Sequence, residues 1–106
     1  MSRLIILEEA ARDLEEGRDF YDSLENGVGD YFTACLTEDL ERLRALHGIH
    51  SLHFGLYRML SARFPFAIYY REAPFEVQVC AILDLRREPT WIREELQVRS
   101  DKSEGI

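Results

Sequence analysis

Arginine is the residue type with which this chain could do chemistry. Of its 13 basic residues 12 are arginine, and the one lysine, Lys102, stands in the C-terminal tail. Between Gly48 and Arg93, six arginines (Arg58, Arg63, Arg71, Arg86, Arg87 and Arg93) meet four acids (Glu72, Glu76, Asp84 and Glu88). The planar guanidinium fork grips carboxylate or phosphate with two parallel hydrogen bonds, so a cluster of such groups could hold a phosphate or an acidic partner. For any one of them the plainer outcome is pairing with a neighbouring acid on a solvated surface. His47, His50 and His53 repeat at intervals of three, as ligands of a metal can, yet their loop carries no acid or cysteine to complete a site. No metal and no cofactor is expected. Cys35 and Cys80 stand apart, outside any CxxC, and read as small packed or surface residues.

The charge is unevenly spread. Residues 1–47 hold 12 acids and 5 arginines, net −7, and residues 48–106 hold 8 acids and 8 basic residues, net zero. The chain is therefore acidic overall with a locally positive second half. An acidic surface disfavours approach to nucleic acid. A hydrophobic share of 46% and a charged share of 31% suit a soluble globular chain of one core rather than a disordered one. No apolar run approaches the roughly 18 residues of a membrane span, and no basic and apolar leader opens the chain, so a cytoplasmic protein is expected.

The elements that must position the arginines follow from periodicity. Leu56 to Leu85 reads as three antiparallel strands in a meander. Leu56, Arg58 and Leu60 alternate with Tyr57, Met59 and Ser61 on the first, and Phe66 to Arg71 forms the second, with Tyr69 and Tyr70 on opposite faces, one in the core and one exposed. In the third, Phe75, Val77, Val79, Ala81 and Leu83 alternate with Glu76, Gln78, Cys80, Ile82 and Asp84. Arg63-Phe64-Pro65 and Glu72-Ala73-Pro74 supply the turns. Upstream, Arg3 to Leu7 is a short strand. Ala10, Leu14, Gly17, Tyr21 and Leu24 mark one face of a first helix, and Phe32, Leu36, Leu40, Leu43 and His47 one face of a second, broken by Glu25-Asn26-Gly27. The second helix should end at His47 before Gly48. Residues 49–55 read as a loop. Pro89 opens a short helix to Leu96. The fold class is α+β, with one domain over residues 1–96 and a flexible polar tail over 97–106.

This order resembles the RelE/ParE superfamily of type II toxin–antitoxin toxins, the plasmid stabilisation proteins. The matching residues are Glu9-Ala10-x-x-Asp13-Leu14, Leu56-Tyr57-Arg58-Met59-Leu60, Phe64-Pro65-Phe66-Ala67-Ile68-Tyr69-Tyr70-Arg71, and Val77 to Arg87 ending in Arg86-Arg87-Glu88-Pro89. They cover residues 3–96. The resemblance implies the superfamily fold, a strand, a helical hairpin, a three-strand meander and a short last helix.

Two activities share that fold, so the fold alone does not choose between them. RelE-like members resemble ribosome-dependent mRNA endoribonucleases that use a Lys/Arg cluster and a C-terminal Tyr. ParE-like members poison DNA gyrase and are inhibitors rather than enzymes. The chain departs from the nuclease pattern. No Lys lies on its sheet, Ala67 stands where a basic residue is common, and Trp91, which cannot accept a proton, is the nearest aromatic after the arginine pair. The resemblance to ParE therefore leads. It implies Arg86, Arg87 and Trp91 as contacts to gyrase, and Arg58, Arg71 and Tyr69 as contacts to a cognate antitoxin. The alternative, a ribonuclease acting on the ribosome and mRNA, would use Arg58, Arg63, Arg86 and Arg87 on phosphate. A third reading is a degenerate toxin that only binds antitoxin. Homodimer and heterotetramer with antitoxin both stay open. Trp91 could also simply close the end of the core, and Asp13 is expected to make a helix or sheet contact.

Overall fold

The computed structural model describes residues 3–104, with side chains described for residues 3–100. The element order is β1 (Arg3–Ile6), α1 (Glu8–Leu24), α2 (Val28–Leu46), β2 (Ser51–His53), β3 (Leu56–Leu60), β4 (Phe66–Ala73), β5 (Glu76–Asp84) and α3 (Pro89–Glu104). The strands form one sheet in the order β1-β5-β4-β3-β2, antiparallel except where β1 runs parallel to β5. The α1–α2 hairpin covers one face and α3 the other, so the sheet is buried on both sides. None of the described helices is long and apolar enough to cross a membrane.

The hairpin packs as the apolar stripes dictate. Ala10, Tyr21, Phe32, Leu36, Leu40 and Leu43 meet Met59, Phe66, Ile68, Tyr70, Val77, Val79 and Ile82 of the sheet. The two helices come close because glycines face them. A Cβ on Gly17 would stand 2.7 Å from the Phe32 ring, and one on Gly29 would stand 2.6 Å from the carbonyl oxygen of Arg18. Asp22 ties the turn by accepting from the backbone N–H of Gly27 and of Gly29, at 2.9 and 3.2 Å. His47 caps α2, as its place in the sequence suggests.

Several expectations need correction. First, residues 49–55 are not all loop, since Ser51–His53 pairs with β3 and makes the sheet five-stranded. Its hairpin turns on Phe54 and Gly55, both at positive φ (56° and 84°), the handedness that a two-residue turn requires. The second hairpin turns later than Glu72-Ala73-Pro74. β4 continues to Ala73, and Pro74 with Phe75 at φ 63° makes the corner.

Second, the alternation along β5 changes phase. Tyr69 pairs with Ala81 but Tyr70 pairs with Val79, so Cys80 is an extra residue, a β-bulge. Val77 and Val79 face the hairpin before it. Beyond it, Ile82 faces the hairpin, while Ala81 and Leu83 face α3. One inserted residue exchanges every later side chain between the two faces.

Third, α3 does not stop at Leu96 but continues through Glu104. Ile92, Leu96 and Arg99 recur at helical spacing and are all buried, so part of the polar tail is packed structure. Residues 105 and 106 lie outside the described residues.

Candidate interaction site at the arginine end of the sheet

The loop after β3 and the junction between β5 and α3 lie together, joined where the Leu85 N–H donates to the Pro65 carbonyl at 2.8 Å. Four aromatic rings form a platform beneath them. Tyr21 stacks on Phe32 with centroids 5.1 Å apart, Phe64 meets Tyr21 edge-on at 4.9 Å, and Phe66 meets Phe32 at 4.9 Å. Such interlocked rings are rigid supports for whatever stands above them.

Arg86 stands there, half-exposed. Its Nε donates to Asp84 Oδ1 at 3.0 Å and its Nη2 to Asp84 Oδ2 at 2.7 Å, a two-pronged grip. Nη2 also donates to the Tyr21 hydroxyl at 3.1 Å, and the guanidinium carbon lies 5.8 Å from the Phe20 ring centre. Burial works to raise the Asp84 carboxyl, but the hydrogen bonds and charge of Arg86 outweigh it and hold Asp84 below the usual carboxylate range. Arg87 turns the other way and lies over the Trp91 indole, 3.7 Å from its centre, in cation–π geometry. Between these two arrangements opens a cleft of about 360 Å³ lined by α1, the starts of β4 and α3, and the end of β5.

The residues singled out from the sequence are only partly brought together. Arg86, Arg87 and Trp91 share this end of the sheet. Arg63 lies on the neighbouring loop, but its guanidinium points to α2, 3.3 Å from Glu38 Oε2 and 3.7 Å from Cys35 Sγ. Arg58 is two strands away, on the α3 face of the sheet, in register with Tyr69 of β4, where its charge acts on the buried phenol. The four arginines that a ribonuclease would need thus stand apart, three of them turned to separate partners. A phosphate at Arg86 would have to displace a carboxylate that already satisfies it.

Arg58, Tyr69 and Arg71 do share one sheet face, since Arg58 pairs in register with Tyr69 and Arg71 follows two residues on. Tyr69, however, is not an exposed contact. Only 2% of it is accessible, because Leu56, Ile92 and Leu96 close over it, and burial pushes its phenol up. Tyr70 is equally buried on the hairpin side, so neither tyrosine is exposed. Arg71 donates to Gln78 Oε1 at 2.6 Å across β4 and β5.

The histidines also go separate ways. His47 Nδ1 lies 2.5 Å from Glu72 Oε2, His50 is hydrogen-bonded to the Tyr70 hydroxyl, and His53 to Ser51. The acid missing from their loop is supplied in space by β4, yet to one imidazole only. Among the described residues no group of three or more His, Cys, Asp or Glu side chains is placed to hold a metal ion.

Sequence reasoning missed Phe20, Glu16 and Asp84 at the cleft, and Arg99 behind it. Phe20 lies three residues from Gly17 and four from Leu24 on the marked helix face, which was the available signal. Nothing local marks the rest.

This architecture occurs elsewhere. A solved structure of the chromosomal ParDE TA system from P. aeruginosa contains a chain that superimposes with a TM-score of 0.72 at 24% sequence identity, over 80% of this chain and 97% of that one. The two chains share one fold. No family model and no curated protein matches the sequence. At that identity the likeness speaks for the fold, and it agrees with the α+β arrangement that the superfamily resemblance implies.

Proposed function

We propose that this protein is the toxin of a type II toxin–antitoxin module, of the ParE-like kind, that it acts on DNA gyrase in the cytoplasm, and that a cognate antitoxin neutralises it. The observation that carries this reading is the shared fold, which extends over nearly the whole of a chain from a ParDE TA system. The sequence motifs from Glu9 to Pro89 support it independently.

The choice of gyrase over mRNA rests on the arginines. Transition-state charge in RNA cleavage calls for cations gathered on one phosphate. Here Arg63, Arg86 and Arg87 are turned to Glu38, Asp84 and Trp91, and Arg58 lies two strands away beside Tyr69. The net charge of −7 opposes approach to RNA as well. Protein recognition suits what is present. Aromatic and arginine side chains on a rigid support are the residue types that dominate binding energy at protein interfaces. In this reading Arg86, Arg87 and Trp91 touch the target, and plasmid or chromosome maintenance is the biological setting.

Induced expression of the protein alone in a bacterium tests the reading. Growth arrest with long filaments, relieved by co-expression of the antitoxin from the neighbouring reading frame, is the expected result. Purified protein should then block supercoiling by gyrase. Arrest without filaments but with cut mRNA would replace the proposal with ribonuclease action, and normal growth with folded protein would leave only antitoxin binding.

A further inference from the structure

The side of α1 that faces α3 carries Glu9, Asp13, Glu16 and Phe20 at spacings of four, three and four, one continuous stripe. Both ends of this stripe already hold an arginine. At one end Arg99 donates to Asp13, Nη1 to Oδ2 at 2.5 Å and Nη2 to Oδ1 at 2.9 Å, with Glu9 Oε2 at 3.9 Å from its Nε. At the other, Arg86 lies over Phe20 and grips Asp84. Glu16 stands between them and has no ion pair or hydrogen bond among the described residues. It opens onto the cleft of about 360 Å³, whose walls are Phe20, Phe66, Ile82, Leu83 and Trp91.

We infer that this cleft receives an arginine side chain of the antitoxin. The inference rests on the toxin–antitoxin reading above for the identity of the partner, but its chemistry rests on the cleft alone. Of the three carboxylates in its lining, Asp13 is taken by Arg99 and Asp84 by Arg86, which leaves Glu16, and the one guanidinium in the lining, Arg87, is held on the opposite wall over Trp91. The chain itself shows what such a position accepts, once on the stripe at Asp13 and once beside it at Asp84, a planar cation with its fork on a carboxylate. Glu16 is the unfilled position in that row. The aromatic walls favour a delocalised cation further. The space suits one long side chain, not a folded element. The surplus of negative charge on the hairpin, net −7 over residues 1–47, would draw a basic segment toward the same side.

The experiment uses the whole protein labelled with ¹⁵N and benzamidine, a planar amidinium cation, as probe, with benzamide and benzoate as neutral and anionic counterparts. Benzamidine is expected to shift the amides of Gly17, Ile82 and Leu83 and the Trp91 indole, and Glu16→Gln to weaken it by about threefold, the scale of one exposed ion pair. Glu16 is exposed, so this variant should leave the spectrum otherwise unchanged. Equal binding of benzamide would reduce the cleft to an apolar hole. Stronger binding of benzoate would assign it to acids through Arg87. Shifts elsewhere, or none, would also overturn the inference. Because the protein is tested alone, a failure here leaves the toxin reading standing, and a failure of the growth assay leaves the cleft chemistry standing.

Discussion

One carboxylate oxygen of Asp13 accepts from two donors at once, the Arg99 guanidinium at 2.5 Å and the backbone N–H of Ile82 at 2.9 Å. Arg99 in turn donates to the carbonyl of Cys80 at 3.2 Å. Cys80 is the bulged residue of β5, and β1 pairs with β5 only as far as Val79, so the Cys80 carbonyl and the Ile82 N–H lie where the β1 ladder has ended. An acid of α1 and an arginine of α3 supply partners to both groups. The pair joins α1, β5 and α3 at a single point.

Removing one partner should therefore be severe. The Asp13 and Arg99 side chains are 9% and 8% exposed, and an uncompensated charge there costs about 3–5 kcal/mol. Arg99→Met is expected to lower the unfolding free energy by that amount in urea titrations. Asp13→Leu combined with Arg99→Met should lose less than the two single changes added together, since no lone charge remains. A loss under about 1 kcal/mol for Arg99→Met would contradict the clamp.

The same pair shows where the sequence stops being legible. Apolar stripes at helical spacing place Ala10, Tyr21, Phe32 and Leu43 correctly, because a buried helix face has no other way to be written. The strands of the meander are legible for the same reason. Arg99 is not, since its partner is 86 residues away and its neighbours Gln97, Val98 and Ser100 describe a tail. The bulge at Cys80 leaves no mark because every residue around it is apolar, whichever face it joins. β2 is three residues long and is followed by Phe54 at positive φ, where a turn signal would be Asn or Gly. At the site, the superfamily resemblance pointed to Arg86, Arg87 and Trp91, while the cleft between them depends on how α1 and α3 meet the sheet.

Acid should weaken the fold through the α2–β2 loop. The Gly48 N–H donates to the buried Tyr70 hydroxyl, which can then donate its own proton to His50 Nδ1 only while that imidazole is neutral. Burial first, and the charge of Arg42 second, lower the His50 value. Burial and Arg58 lower that of His53. A lowered base binds protons less readily folded than unfolded. The stability is thus full above the ordinary imidazole value of about 6.5 and is lost as pH falls below it. The urea midpoint should drop between pH 7.5 and 5.5, and His50→Gln should flatten that drop. A midpoint that rises toward pH 5.5 would contradict it.

Phe75 carries removable strain. It is 83% exposed and sits at φ 63°, a left-handed conformation that a bulky residue adopts at about 1–2 kcal/mol. Asn tolerates that region with less strain and loses no buried contact here. Phe75→Asn is expected to stabilise the protein by about 0.5–1 kcal/mol in urea unfolding. A loss of stability would mean that the ring packs on its neighbours.

Arg87 separates contact from structure at the proposed target surface. Its guanidinium is exposed and rests on the Trp91 ring without a carboxylate partner among the described residues, whereas Arg86 is fastened to Asp84 and Tyr21. Arg87→Ala should change stability by no more than about 0.5 kcal/mol, the ordinary scale for a surface substitution. Arg86→Ala should cost more, because it leaves the part-buried Asp84 carboxylate without its cation. If the rim touches gyrase, Arg87→Ala should weaken inhibition of supercoiling by tenfold or more, on the order of 1.4 kcal/mol at an interface anchor. The antitoxin's affinity, measured on the same variant by calorimetry, should move far less, because the inferred antitoxin contact lies at Glu16 across the cleft. Equal loss of both would merge the two surfaces into one, and loss of neither would remove Arg87 from the target contact.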